Sequence, residues 1–149
     1  MEQSAWLPDE SSGFPAMDAL HCEFFSLLTE LSHTDDQQFI ARYQPFVARV
    51  EQIFAKEEGW MEEAAFPLFR EHQEQHARVL SALHHVFPLV AEGELTLGRK
   101  IVQTLLPQWL AFHMTTMDMA LALALQLREM NSSHSEDPRI VNEAGSLVF

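Results

Sequence analysis

Four histidines and at least two acids of this sequence fall on apolar stripes at helical spacing, and together they have the chemistry to hold metal ions. His72 and His76 lie in the stripe Phe69, His72, His76, Val79, Leu80, Leu83. Side chains four apart on a helix stand one above the other, with roots about 6 Å apart, so both imidazoles can reach one ion. His21 shares a stripe with Phe24, Phe25 and Leu28. Glu57 follows Phe46, Val50 and Ile53 and precedes Trp60, and His113 ends the stripe Val102, Leu106, Trp109. Asp118 follows His113 by five residues, about 140° around an ideal helix. To face the same ion it needs a local widening or a helix end, and residues 114–117 can supply either. Spacing alone does not choose between Glu57 and Glu58.

Taken singly, each of these has an ordinary explanation. A lone His on an apolar face is more often a satisfied core residue than a ligand, and His72 and His76 sit in the polar run Glu71-His72-Gln73-Glu74-Gln75-His76. The pattern across helices is harder to dismiss. His21 falls near the start of a first helix, Glu57 near the end of a second, His72 and His76 near the start of a third, and His113 near the end of a fourth. In an antiparallel bundle those four places are one end. Imidazole and carboxylate donors suit iron, manganese or zinc, and buried carboxylates need a cation or partner to stay ionised.

The elements that must position these residues follow from periodicity and punctuation. Residues 1–16 contain Pro8, Gly13 and Pro15 and read as an arm, packed down by Trp6, Leu7 and Phe14. A first helix is expected over about 18–32. Thr34-Asp35-Asp36 caps a second that runs to about 64, with Pro45 kinking or interrupting its first third. Pro67 is placed to open a third, which Pro88 is expected to end at about residue 87. A fourth runs over about 94–114, bent at Pro107, and a short extra helix over 117–130 follows. The fold expected is all-α: an antiparallel up-down-up-down four-helix bundle over residues 1–130, with an N-terminal arm, and a loose tail over 131–149.

Bulk composition agrees. A chain of 149 residues suits one domain, and its 11 Phe supply a core. A formal charge of −13 argues against nucleic acid and anionic membranes, whose phosphates need Lys and Arg. The start MEQSAWLPDE carries acids where a secretory signal carries bases, and nothing approaches the roughly 20 apolar residues of a membrane span, so a cytoplasmic protein is expected. Cys22 stands alone and reads as a small buried residue. Apart from Glu57, the acids from Glu58 to Glu63 read as a solvated face. There is no Ser/His/Asp arrangement and no phosphate loop.

Over roughly residues 6–120 the sequence resembles the bacterial hemerythrins, single-domain non-heme diiron proteins that bind dioxygen. The residues that carry the resemblance are Trp6, Asp18-Ala19-Leu20-His21, Phe54-Ala55-Lys56-Glu57-Glu58-Gly59-Trp60-Met61, Phe66-Pro67, the pair His72 and His76, and Trp109-Leu110-Ala111-Phe112-His113 followed by Asp118. The resemblance implies two non-heme irons. His72, His76 and His113 would hold one, His21 the other, and Glu57 and Asp118 would bridge them, which selects Glu57 over Glu58. Leu110 takes the place of the apolar residue that overhangs the dioxygen site.

Ile53 departs from that pattern. The family has a histidine four residues before the bridging glutamate, and isoleucine cannot ligate. His33, His84, His85 and His134 are poorly placed to replace it; Glu58, Cys22, Met17 or water are the other candidates, water being the ordinary one. The second iron would then have open positions and weaker retention. The ligand implied is dioxygen, or a related molecule such as peroxide or nitric oxide. An oxidase or peroxidase working at the open iron is the first rival, and a metal-dependent sensor or interaction module, whose protein partner the sequence leaves unnamed, is the second.

Overall fold

The structure, a computed structural model, describes residues 12–135, all helical or in short turns, with no strand among them. Trp6 and Leu7 of the expected arm lie outside the described residues. Phe14 lies within them and packs edge-on against Trp60, ring centroids 5.3 Å apart.

Helix α1 spans Pro15–Ser32 and so begins earlier than expected. Pro15 stands in its first turn, where a missing N–H is no loss and the fixed φ is already helical. Helix α2 spans Asp36–Glu63, and the Asp35 carboxylate accepts from the Gln38 amide at 2.8 Å as its cap. It runs through Pro45 without interruption. Buried Tyr43, Phe46 and Val47 on either side hold the turn that proline weakens. Ala65, at φ +49°, ends α2 in the left-handed region, and the Phe66 amide donates back to the Met61 carbonyl at 2.9 Å.

Two expectations about proline in α3 need correction. The helix spans Phe69–Ala91, so Pro67 lies in the preceding turn and Pro88 lies inside the helix. Pro88 removes one hydrogen bond in the last turn, where carbonyls are being released anyway. The stop is Gly93 at φ +89°, closed by amides of Gly93 to Val90 (3.0 Å) and of Glu94 to Leu89 (2.9 Å).

The two last helices expected from sequence are one rod. It runs as α4 (Thr96–Lys100), a π turn π1 (Ile101–Leu105), α5 (Leu106–His113), a second π turn π2 (Met114–Asp118) and α6 (Met119–Ser135). There is no separate extra helix, and its last residues reach into the segment expected to be loose. In π1 the Leu106 amide bonds to the carbonyl of Ile101, five residues back, directly before Pro107. The widened turn takes up the proline that was expected to bend the helix. Residues 96–132 form a helix long enough to cross a bilayer, and one 18-residue window of it reaches a mean hydropathy of 1.3, which was not expected from the sequence. Val102, Leu106, Leu110, Leu121 and Leu125 on this rod are instead buried against the other helices.

The core falls into two apolar clusters. The larger includes Phe24, Phe39, Tyr43, Val50, Ile53, Phe54, Leu83, Val102 and Leu110. The smaller gathers Met17, Met61, Phe66, Leu121, Ala122 and Leu125. Between their members, on every one of the four rods, lie the buried polar residues.

Candidate metal centre

Among the described residues, six polar side chains are almost wholly buried: His21, Glu57, His72, His76, His113 and Asp118. Five of them, all but His21, present one ligating atom each within 4.8 Å of one another. His72 and His76 come from the first two turns of α3, where their four-residue spacing points both rings inward. Glu57 faces them from the last two turns of α2. His113 and Asp118 are brought to one face by π2, whose hydrogen bonds join residues five apart, as from Met119 to Met114. The local widening that their spacing required is this turn.

The two carboxylates each face two ways. Glu57 Oε2 lies 3.2 Å from His76 Nε2 and 3.5 Å from His72 Nε2. Asp118 Oδ1 lies 2.9 Å from His72 Nε2 and 3.1 Å from His113 Nε2. The other oxygens turn to α1: His21 Nε2 is 3.0 Å from Asp118 Oδ2 and 3.5 Å from Glu57 Oε1. Three imidazoles thus share one oxygen of each carboxylate, and a fourth meets the remaining pair.

The donor set fits a cation. His76 Nδ1 is 3.0 Å from Glu58 Oε2 and His113 Nδ1 is 2.8 Å from Gln75 Oε1, both oxygens able only to accept. Each Nδ1 therefore carries the proton, leaving Nε2 to offer a lone pair. His113 Nε2 stands 2.9 Å from His72 Nε2 and 3.3 Å from His76 Nε2. Glu57 Oε2 and Asp118 Oδ1 have no hydrogen-bond partner. Buried acceptors crowded this way need a positive charge among them. Neighbouring donors here stand 2.9 to 3.5 Å apart, close enough for one ion to be shared among them.

Protons do the same work when no metal is bound. Burial disfavours charge on His21, but its hydrogen bonds to Asp118 and Glu57 and their charges outweigh this and raise it to about 9. His72 is raised to about 9 by the same balance. Burial and the nearby Asp118 charge push Glu57 up, yet the facing imidazoles of His21, His72 and His76 bring it to about 2. Asp118 is held well below its usual range in the same manner, by His113, His21 and His72 against burial.

The sign of the pH dependence follows. Histidines raised from 6.5 to about 9 add stability to the metal-free fold that is complete below pH 6.5 and lost as pH rises through 9. Glu57, lowered from 4.5 to about 2, adds stability present above pH 4.5 and lost as pH falls through 2. The thermal midpoint of metal-free protein should therefore fall between pH 6.5 and 9. Added divalent metal, which replaces the protons, should flatten that fall. A midpoint that is flat or rises over this range in chelator would contradict the cluster's charge balance.

The chain is 38% identical over 106 residues to a bacteriohemerythrin of Ralstonia nicotianae, a match covering 71% of this chain and 77% of that protein. The chain belongs to the bacteriohemerythrin family. No protein-family model matches it, and no solved structure does.

Residues outside the sequence-predicted set complete the cluster. Phe54 stacks flat on His76, centroids 3.9 Å apart at 3°, and Trp109 stacks on His113 at 4.4 Å and 15°. Glu58, expected as part of a solvated face, is half-buried against His76, and Gln75 backs His113. A signal for Glu58 was present: it follows an inward Glu57 by 100° of helix, which turns it to the back of a neighbouring ring. Cys22, expected to be buried, is exposed, whereas Met17 is buried in the smaller apolar cluster. Ile53 is 1% exposed within the larger cluster, one turn before Glu57. His33, His84 and His85 are all exposed. Leu110 is buried one turn before His113.

Proposed function

We propose that this protein holds two non-heme irons and binds dioxygen or a related small molecule such as peroxide or nitric oxide. The observation that carries the reading is the two-way use of Glu57 and Asp118, one oxygen of each toward His72, His76 and His113 and the other toward His21. On this reading the three histidines of α3 and α5 hold one iron and His21 holds the second, with the carboxylates shared. The irons would supply reversible binding of the small molecule. The chain's part is to fix the donors, keep them deprotonated at Nε2 and exclude bulk water. Leu110, Phe54 and Trp109 form apolar walls for that purpose.

Ile53 is the distinctive part of the proposal. With isoleucine one turn before Glu57, the second iron has one imidazole and two shared carboxylates, and water completes it. That iron is then held less tightly, and its open positions favour a second reading, an oxidase or peroxidase. The same frame includes an antiparallel up-and-down bundle, because only that order brings the start of α1, the end of α2, the start of α3 and residues 113–118 to one level. We assign the bundle as one domain up to about residue 130 and place the protein in the cytoplasm, without nucleic-acid or membrane partners, in keeping with its charge of −13.

Iron analysis with absorption spectra, in the presence and absence of oxygen, tests the reading. Bound iron with an oxygen-dependent absorption band that reverses on removing oxygen is expected of a carrier. Rapid consumption of peroxide without a lasting band would favour the second reading. Iron-free protein that gains no band on loading would overturn both.

A further inference from the structure

The three imidazoles that converge on the cluster are backed in three different ways. His76 Nδ1 donates to a carboxylate, Glu58 Oε2, at 3.0 Å. His113 Nδ1 donates to a neutral amide oxygen, Gln75 Oε1, at 2.8 Å. His72 Nδ1 is buried and has no hydrogen-bond partner. Glu58 is itself held: Gln73 Nε2 donates to its other oxygen at 2.9 Å. Its side chain is only 22% exposed, and burial opposes its charge, but the hydrogen bonds from His76 and Gln73 keep it below the usual carboxylate range. The His76 ring is at the same time clamped flat under Phe54. His113 is likewise stacked on Trp109 and hydrogen-bonded to Gln75, but His76 alone is backed by a full negative charge.

We propose that Glu58 is a positioning residue that makes His76 the most basic of the three nitrogen donors and so favours the ferric over the ferrous state of the iron they hold; the inference rests on the metal reading above. A carboxylate accepting from the far nitrogen of a ligating imidazole draws its proton outward, builds electron density at the ligating nitrogen and fixes the tautomer. An amide does the second of these without the first. The extra density stabilises the more highly charged iron, since a fixed negative charge near a poorly screened cation matters more as that cation's charge rises. Glu58 reaches no metal itself on this account, because its carboxylate is spent on His76 and Gln73.

Three substitutions separate charge from shape. Glu58→Gln keeps an acceptor of the same size and removes the charge. Glu62→Gln removes an equal charge from an exposed position on α2 and controls for net charge. Gln75→Glu places a second carboxylate behind His113. The midpoint potential of the iron-loaded protein and the rate of iron loss to a chelator are measured for each, with the melting temperature of the metal-free form. Glu58→Gln should shift the ferric/ferrous balance about tenfold toward ferrous, about 59 mV upward for one electron, and release iron about tenfold faster. Gln75→Glu should move the potential the other way, and Glu62→Gln should leave it in place. A Glu58→Gln potential equal to that of Glu62→Gln overturns the proposal, even if iron is retained. Wild-type protein that binds no iron overturns it too, by removing the metal reading beneath it.

Discussion

His76→Ala is expected to strip the protein of most of its iron, and His72→Ala to do the same. The two imidazoles stand one helical turn apart, and their Nε2 atoms lie 3.2 and 3.5 Å from the same Glu57 oxygen. Either change leaves a buried carboxylate oxygen facing a gap, with Glu57 and Asp118 still negative and one fewer donor to share the cation. Loss of a hydrogen-bonded partner behind a ligand commonly costs 10–100-fold in affinity, so loss of the ligand should cost on the order of 100-fold or more. Iron per chain after gel filtration, measured by elemental analysis, reads this directly. His84→Ala is the control, because His84 is exposed and its contact is with Glu51. Iron content unchanged in both cluster variants would refute the assignment, provided each still folds by circular dichroism.

Ile53→His should give the second-largest effect, in the opposite direction. Position 53 is one turn before Glu57 and 1% exposed, so an imidazole there enters a dry interior. Without metal the new polar group costs about 1–3 kcal/mol. On the two-iron reading it would add a neutral donor to the iron left with His21 alone, and retention of that iron should rise about 10-fold or more. Metal-free variant should melt lower than the native chain, and iron-loaded variant should recover. If the open positions serve chemistry, peroxide turnover should fall as retention rises; if the protein is a divergent carrier, the oxygen adduct should last longer. Ile53→Ala separates packing from ligation, since it opens a cavity worth about 2–4 kcal/mol and offers no donor. No change in retention or reactivity with Ile53→His would mean that position 53 does not face the metal.

The six buried polar residues were legible in the sequence because ligands that must face a core obey the helical repeat of the core itself. His72 and His76 needed only their spacing, whereas choosing Glu57 over Glu58 needed the family frame. The 113–118 pair announced its anomaly: five residues do not close a turn, and π2 supplies the wider one. What the sequence hid has physical causes too. Pro88 looked like a terminator, but a proline in a last turn removes little, and Gly93 with its left-handed backbone was the stronger stop. The two final helices read as separate because π2 breaks the apolar period at residues 114–118 without breaking the helix. Glu58, Phe54 and Trp109 stood out in the sequence, but not their places behind His76 and His113, nor that of Gln75, because those depend on partners from other helices.

The proposed function turns on a pair of unequal metal sites sharing Glu57 and Asp118. Anaerobic titration of metal-free protein with ferrous iron, followed by calorimetry and by iron per chain, tests it most directly. Two ions per chain are expected, the first bound at least about tenfold more tightly than the second, since three imidazoles would serve one and His21 alone the other. Two ions of equal affinity, or a single ion with no second step at any concentration, would contradict it.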